Sequence, residues 1–184
     1  MIDYNVLETK KNGQLTTSSV KEFIYRAGGD NCWYAFKELS EDPEYQMSYE
    51  TYYKGLCVAY LNADRIDVGD AALMFSEFEN EDWLNYADKK TKKFYDELPN
   101  VVTLYRGCTK DEADSGIYGI SWTTDKKVAE FFAKEYIRRD TRNGVLMEIQ
   151  ISKSDICAVL LDRDESEVIL PYVEDICQEV KVES

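Results

Sequence analysis

The chain of 184 residues contains no histidine. Without an imidazole, serine-histidine-aspartate hydrolysis, cysteine-histidine proteolysis and most zinc hydrolase mechanisms are excluded. Two phosphate-binding signatures are also missing, the GxGxxG turn of dinucleotide folds and the GxxxxGKS/T loop of nucleotide hydrolases. These absences set aside several large classes of hydrolase, together with the Rossmann and P-loop nucleotide sites.

Basic residues are in short supply. The 22 lysines and arginines face 36 aspartates and glutamates, which gives a net charge of −14. A protein of this charge repels the phosphates of a nucleic acid unless a local basic patch overrides the overall field. Nucleic acid is therefore not an expected partner, and a phosphate-bearing ligand needs a focused local positive group.

Long apolar runs are lacking as well. No stretch approaches the ~20 apolar residues of a membrane helix, and the segment from Met1 to Asn5 does not combine a basic part with an apolar one. We therefore expect no membrane partner. We also expect a cytoplasmic location, either in the cell that makes the protein or in a cell into which it is delivered.

The cysteines show no closely spaced pairs. They are Cys32, Cys57, Cys108, Cys157 and Cys177. This spacing argues against a zinc site and against a disulfide framework, so we expect no metal and treat the cysteines as small buried side chains. The alternative at Cys108 is a reactive thiol, because the cation two residues earlier favours the thiolate.

Residues 1–99 are predicted to be mainly helical. Ser19 and Glu22 have the spacing of a capping box, which predicts a first helix from Val20. Asn80 is predicted to cap a later amphipathic helix. The predicted inner face of that helix consists of Leu84, Ala87, Thr91, Phe94 and Leu98.

After Pro99 the pattern changes to short β-branched runs, which predict strands. These runs are Val101–Tyr105, Val145–Ile151, Ala158–Leu161, Val168–Leu170 and Glu179–Val182. A helix is predicted between the first two, where Val128, Phe131, Phe132 and Tyr136 recur at helical spacing. We therefore predict an α+β protein with a helical N-terminal region, residues 1–99, packed on a β-rich core, residues 100–184. The alternative is one compact unit.

An arginine and a glycine follow the first predicted strand. Arg106 offers a planar guanidinium that can bind phosphate or ribose oxygens, and Gly107 lets the backbone approach a ligand closely. The alternative is a strand-end arginine paired with a surface carboxylate.

Two hydroxyl residues alternate with a tryptophan before the Val128 helix. Strand alternation predicts that Ser121 and Thr123 face one side while Trp122 packs into the opposite layer. Two hydroxyls on one face can line a cleft. The alternative makes Thr123 a turn or capping residue.

Two glutamates flank a serine before the Val168 strand. On an extended segment Glu165 and Glu167 face the same side, and like charges at that distance are usually avoided unless a ligand uses them. The alternative is a solvated acidic turn.

Taken in order, Tyr-Arg-Gly, Ser-x-Thr before a helix and Glu-x-Glu before an apolar strand resemble the site of the arginine-serine-glutamate class of ADP-ribosyltransferases. The chain is similar in these motifs to the enzymatic domains of clostridial binary toxins and to related bacterial and phage transferases. The resemblance covers about residues 101 to 171. It implies a β-sandwich-like transferase core and NAD as the co-substrate.

The resemblance also implies roles for individual residues. Arg106 would bind the NAD phosphates and ribose, with the Gly107 backbone on the nicotinamide amide. Ser121 would orient Glu167, the glutamate that stabilises the ribosyl cation, and Glu165 would engage the acceptor. Trp122 and Thr123 complete the second motif and would border the cofactor. Arg139 or Arg142 would supply further positive charge to the phosphates.

A glutamate at position 165 is similar to family members that modify arginine. The resemblance therefore implies mono-ADP-ribosylation of a protein acceptor, with release of nicotinamide. Two other activities fit the same motifs: an NAD glycohydrolase that uses water as acceptor, and a non-catalytic binding or inhibitor protein on the same fold. Modification of a nucleic acid is disfavoured by the charge of −14.

Overall fold

A computed structural model describes residues 3–140, 144–161, 166–173 and 178–180. The protein combines helices with an antiparallel sheet, so the predicted α+β class is confirmed. The chain forms two compact units, Met1–Met74 and Phe75–Ser184. Among the described residues, no helix is both long and apolar enough to cross a membrane.

The first unit is helical. After a short 3₁₀ turn at Tyr4–Val6, its helices are α1 (Thr17–Ala27), α2 (Cys32–Glu41), α3 (Tyr49–Asn62) and α4 (Val68–Ser76), the last of which continues past Met74. The largest side chains of its core lie on the first three helices. They are Phe23, Ile24, Trp33, Phe36, Leu39 and Leu56.

The first helix begins earlier than the capping-box spacing predicts. Thr16, and not Ser19, is the N-cap, and its hydroxyl accepts a hydrogen bond from the Ser19 backbone N–H at 3.2 Å. Ser19 lies inside the helix, where its hydroxyl donates to the Glu8 carbonyl. Glu22 instead pairs with Arg26, one turn further on. Thr16 and Ser19 are both good capping residues, and the capping-box spacing predicted the wrong one of the two as the N-cap.

The second unit begins with a broken helical segment. The single helix predicted from Asn80 is wrong, because Asn80 and Glu81 have positive φ angles of 56° and 69°. A 3₁₀ turn at Asp82–Asn85 follows, and then α5 (Lys89–Glu97), which is capped by Asp88.

This segment belongs to the second unit through two buried aromatic residues. The Trp83 indole N–H donates to the Ile156 carbonyl at 2.8 Å, and the Tyr95 hydroxyl lies 2.6 Å from Glu81 and 3.1 Å from the Lys153 carbonyl. The division between the compact units therefore falls at residue 74. The sequence pattern predicts the boundary at residue 99, where helical periodicity gives way to strands.

The strands of the second unit form one antiparallel sheet. They are β1 (Val101–Thr109), β2 (Ser121–Thr123), β3 (Gly144–Ser152), β4 (Ala158–Leu160), β5 (Glu167–Ile169) and β6 (Gln178–Val180), with α6 (Lys110–Ser115), α7 (Lys126–Asp140) and a 3₁₀ turn at Lys153–Asp155 between them. The order across the sheet is β4-β5-β2-β1-β3-β6. All five predicted strands are present. The described strands make a single sheet, whereas a sandwich-like arrangement was expected.

Helix α7 packs on β1 through small residues. Ala129 and Ala133 are buried, while Phe131 and Phe132 are 59% and 37% exposed. A side chain at Gly107 would place its Cβ 2.1 Å from the Ala129 carbonyl oxygen. Glycine and alanine therefore set the close approach of helix and strand.

Candidate functional site

The three sequence motifs lie on three adjacent strands. Strands β5, β2 and β1 are neighbours in the sheet. Tyr105 of β1 is directly opposite Thr123 of β2, and Thr123 is directly opposite Glu167 of β5. Directly opposed residues of an antiparallel pair share a face and lie about 5 Å apart. The fold thus brings together residues that are more than 60 positions apart in the sequence.

The side chains of this row border a partly open surface. Tyr105 and Glu167 are half-buried, and Thr123 is buried with 6% exposure. Gly107 projects from β1 to the same face as Tyr105, and this is the face that α7 covers. The Tyr105, Thr123 and Glu167 row therefore lies beside the helix.

Thr123 is the hydroxyl residue aligned with Glu167. Ser121 is opposite Ile169, so it is a diagonal neighbour of the glutamate, about 7 Å further along β2. The Thr123 hydroxyl accepts a hydrogen bond from the Asp125 backbone N–H at 3.0 Å. This bond supports the turn predicted as the alternative for Thr123. Thr123 is therefore the hydroxyl residue in register with Glu167, and Ser121 is its diagonal neighbour.

Trp122 packs on the other face of the sheet, as alternation predicts. It is 1% exposed and stacks edge-on against Tyr118, with ring centroids 5.8 Å apart. In this arrangement the indole offers no surface to a ligand. Its expected contact with the cofactor rests on the resemblance alone.

Arg106 donates two hydrogen bonds and lies close to Gly119. Its Nε donates to Glu112 Oε1 at 2.8 Å, and its Nη1 donates to the Ser121 carbonyl at 2.6 Å. A side chain at Gly119 would place its Cβ 2.3 Å from Nη2. The arginine is thus paired with a carboxylate, as the alternative prediction had it, but the pair is mostly buried, at 17% and 21% exposure.

The guanidinium reaches the first residue of β2 from the opposite face. Alternation along β1 places the Arg106 Cβ away from the face of Tyr105 and Gly107. The contact with the Ser121 carbonyl brings the charged end back to the beginning of β2. A ligand that contacts both Arg106 and Glu167 has to pass this end of the strand.

The packing of α7 on β1 explains why residue 107 is a glycine. A Cβ at this position would also lie 2.4 Å from the Ala133 backbone nitrogen, so the glycine is required by helix packing. The packing does not test its expected contact with the nicotinamide amide, which stays a prediction.

The Glu-x-Glu motif is not extended at its centre. Ser166 has a φ of 45°, in the left-handed region, so the alternation that places Glu165 and Glu167 on one side does not apply across it. Glu165 and Arg142 lie outside the described residues. Arg139 lies in α7.

Two residues of the site escaped the sequence reasoning. Glu112 and Gly119 both contact Arg106, and Glu112 Oε1 also accepts from the Gly119 backbone N–H at 2.8 Å. A signal was present, because Thr109 and Glu112 have capping-box spacing. Thr109 does cap α6, but Glu112 bonds the arginine.

The thiol alternative at Cys108 is not favoured. Its side chain is 0% exposed, on the buried face of β1. Cys32 and Cys157 are also buried, and Cys57 is half-buried. Burial raises the pKa of Cys157 to about 12, which keeps this thiol protonated at neutral pH. Within the described ranges no group of three or more acidic or cysteine side chains is placed to hold a metal ion.

Comparison of the chain with protein-family models, with curated proteins and with solved structures found no match.

Proposed function

We propose that this protein is a mono-ADP-ribosyltransferase that moves ADP-ribose from NAD to a protein side chain, with arginine as the expected acceptor. The observation that supports it best is the register of β1, β2 and β5, which aligns Tyr105, Thr123 and Glu167 in one row. The register places Glu167 next to the hydroxyl residue of the second motif, and Arg106 reaches the Ser121 carbonyl at the beginning of the same strand.

Glu167 stabilises the charge that develops during the reaction. The bond between ribose and nicotinamide breaks, its electron pair leaves with nicotinamide, and a ribosyl oxocarbenium ion forms. A carboxylate beside that ion stabilises it as the positive charge grows. Thr123 is directly opposite Glu167 in the register of β2 and β5 and therefore lies on the same face of the sheet.

Arg106 binds the phosphates of NAD. It is a positive group at the beginning of β2, about 7 Å along the strand from the row of Thr123 and Glu167. Glu112 offsets its charge, so the guanidinium acts on an anionic ligand through its N–H donors at short range. Ser121 is the first residue of β2 and the diagonal neighbour of Glu167. Arg139 or Arg142 adds charge. Glu165 engages the acceptor guanidinium, which attacks the ribosyl carbon and releases a proton.

The test is incubation of the purified protein with labelled NAD and a cell lysate. Glu167→Gln should lower label transfer by about 10²-fold or more, as expected for losing a positioned charge-stabilising group. Glu148→Gln is the matched control, because Glu148 is directly opposite Tyr105 on β3 and is also half-buried. The control variant should retain transfer.

Each other result has a distinct meaning. Release of nicotinamide without labelled protein would replace the transferase with an NAD glycohydrolase. Transfer that is equally active in Glu167→Gln would remove Glu167 from the mechanism. No consumption of NAD by the intact protein would contradict both enzymatic activities and leave a non-catalytic binding protein.

A further inference from the structure

We propose that Glu112 is the positioning residue of this site, which holds the Arg106 guanidinium at the beginning of β2 by accepting its Nε–H. The inference rests on the proposed function, because it takes Arg106 as the group that binds the NAD phosphates. Glu112 belongs to none of the three sequence motifs.

Glu112 is itself fixed in place. It lies in α6, whose first turn is capped by the Thr109 hydroxyl, which accepts from the Glu112 backbone N–H at 3.2 Å. Its Oε1 accepts two hydrogen bonds, from Arg106 Nε and from the Gly119 backbone N–H, each at 2.8 Å. A carboxylate with a backbone donor on one side has little freedom to rotate, so it is a firm anchor for the arginine.

The contact is made to the side of the guanidinium. A carboxylate that binds both terminal nitrogens of an arginine occupies the fork that a phosphate would use. Here Glu112 contacts Nε, while Nη1 points at the Ser121 carbonyl, 2.6 Å away. Glu112 therefore holds the guanidinium through Nε, and Nη1 is directed at β2.

Gly119 completes the arrangement. Its φ angle does not demand a glycine, but a Cβ there would lie 2.3 Å from Arg106 Nη2 and 2.8 Å from Cζ. The absent side chain makes the space in which the guanidinium lies. Gly119 therefore contributes twice: it leaves room for the guanidinium, and its backbone N–H holds the Glu112 carboxylate that accepts from Arg106.

Prior fixation of Arg106 should increase affinity for NAD. Immobilising a long side chain on binding weakens affinity by about tenfold, and an arginine that is already fixed avoids most of this loss. Glu112→Ala should therefore weaken NAD binding about tenfold, raising the KM for NAD more than it lowers kcat. Glu112→Gln retains an oxygen that accepts both hydrogen bonds, so its affinity should stay within about threefold of the intact protein.

Two further variants separate positioning from a general effect on the fold. In an Arg106→Ala background, Glu112→Ala should cause no additional loss of NAD affinity, because Glu112 acts through the arginine. Gly119→Ala leaves Glu112 intact but displaces the guanidinium, so it should weaken NAD binding to a similar extent. Gly119→Ala therefore still tests the proposal if Glu112→Ala folds poorly. Thermal unfolding of each variant shows whether it is folded.

The proposal would be overturned by undiminished NAD affinity in both Glu112→Ala and Gly119→Ala. An equal loss in the Arg106→Ala background would overturn it as well, as would Glu112→Gln behaving like Glu112→Ala. Solvent exchange of the Arg106 Nε–H, followed by NMR without NAD, supplies an independent measurement. Exchange should be slow in the intact protein and in Glu112→Gln, and fast in Glu112→Ala.

The two proposals can fail separately. An intact protein that binds no NAD would contradict the proposed function, whatever the exchange rates are. Slow exchange of the Arg106 Nε–H in Glu112→Ala would show that Glu112 does not hold the arginine, whatever NAD does.

Discussion

At the scale of single residues, two buried tryptophans of the second unit differ in the hydrogen bonding of their indole N–H groups. Trp83 is 0% exposed and donates to the Ile156 carbonyl at 2.8 Å. Trp122 is 1% exposed, and its Nε1 has no hydrogen-bond partner among the residues that the structure describes. Each ring also packs edge-on against a tyrosine, Tyr95 and Tyr118 respectively.

This difference predicts unequal effects of the same substitution. Both Trp83→Phe and Trp122→Phe lose buried ring area, but only Trp83→Phe leaves a carbonyl without its buried donor. We expect Trp83→Phe to lower the free energy of unfolding by about 1–3 kcal/mol more than Trp122→Phe does. Urea unfolding of the two variants measures the difference, and each serves as the control for the other. Equal losses would mean that the Trp83 hydrogen bond contributes nothing net.

The site shows which residue roles a sequence can disclose. Alternation correctly predicted that Trp122 packs in the layer opposite the hydroxyls. Alternation failed across Ser166, because its φ of 45° breaks the extended backbone, and the residue types around it do not predict this angle. The partnership of Arg106 with Glu112 and Gly119 depends on how α6 and the loop after it return to β2. Spacing alone could not specify that path.

At the scale of elements, the boundaries depend on hydrogen bonds that compete locally. The strands were predictable, because runs of β-branched residues such as Val101–Tyr105 suit a pleated, half-buried surface. The helix predicted from Asn80 failed because the left-handed angles at Asn80 and Glu81 turn the chain, so that Glu81 can accept from the Tyr95 hydroxyl. That contact joins residues 14 apart, beyond the reach of a local pattern.

Helix α5 carries an ionised cap whose contribution should depend on pH. The Asp88 side chain accepts from the Thr91 backbone N–H at 2.7 Å, and this hydrogen bond lowers the pKa of Asp88. A carboxyl whose pKa is lower in the folded state adds stability above its unfolded pKa of about 3.9 and loses it as pH falls through the folded value. Asp88→Ala should therefore lower the free energy of unfolding by about 1 kcal/mol at pH 7, and by less below pH ~3.

A neutral cap provides the control. Thr16 caps α1 through a hydroxyl that does not titrate in this range, so the cost of Thr16→Ala should be the same at both pH values. Denaturant unfolding at pH 7 and near pH 3 measures both costs. A cost of Asp88→Ala that did not change with pH would show that the charge of the cap plays no part.

At the scale of the whole molecule, charge of one sign dominates. The net charge of −14 opposes the compact state through self-repulsion. Ion pairs on the surface offset little of this, because pairs such as Arg26 with Glu22, both 53% exposed, are each worth about 0–1 kcal/mol. The same field repels an anionic ligand from a distance, so a local cation such as Arg106 has to act at short range.

Salt should therefore stabilise this protein near neutral pH. Raising NaCl from 10 mM to 200 mM shortens the screening length from about 30 Å to below 10 Å, which weakens repulsion across the surface more than it weakens close ion pairs. We expect the free energy of unfolding at pH 7 to increase, with a rise in Tm of about 2–4 °C for each 1 kcal/mol gained. The control is the same titration at pH 4.5, where the sequence pI of about 4.5 brings the net charge near zero and the stabilisation should vanish. Stabilisation of equal size at both pH values would point to ion binding or solvent effects, and a fall in Tm at pH 7 would show that the ion pairs outweigh the repulsion.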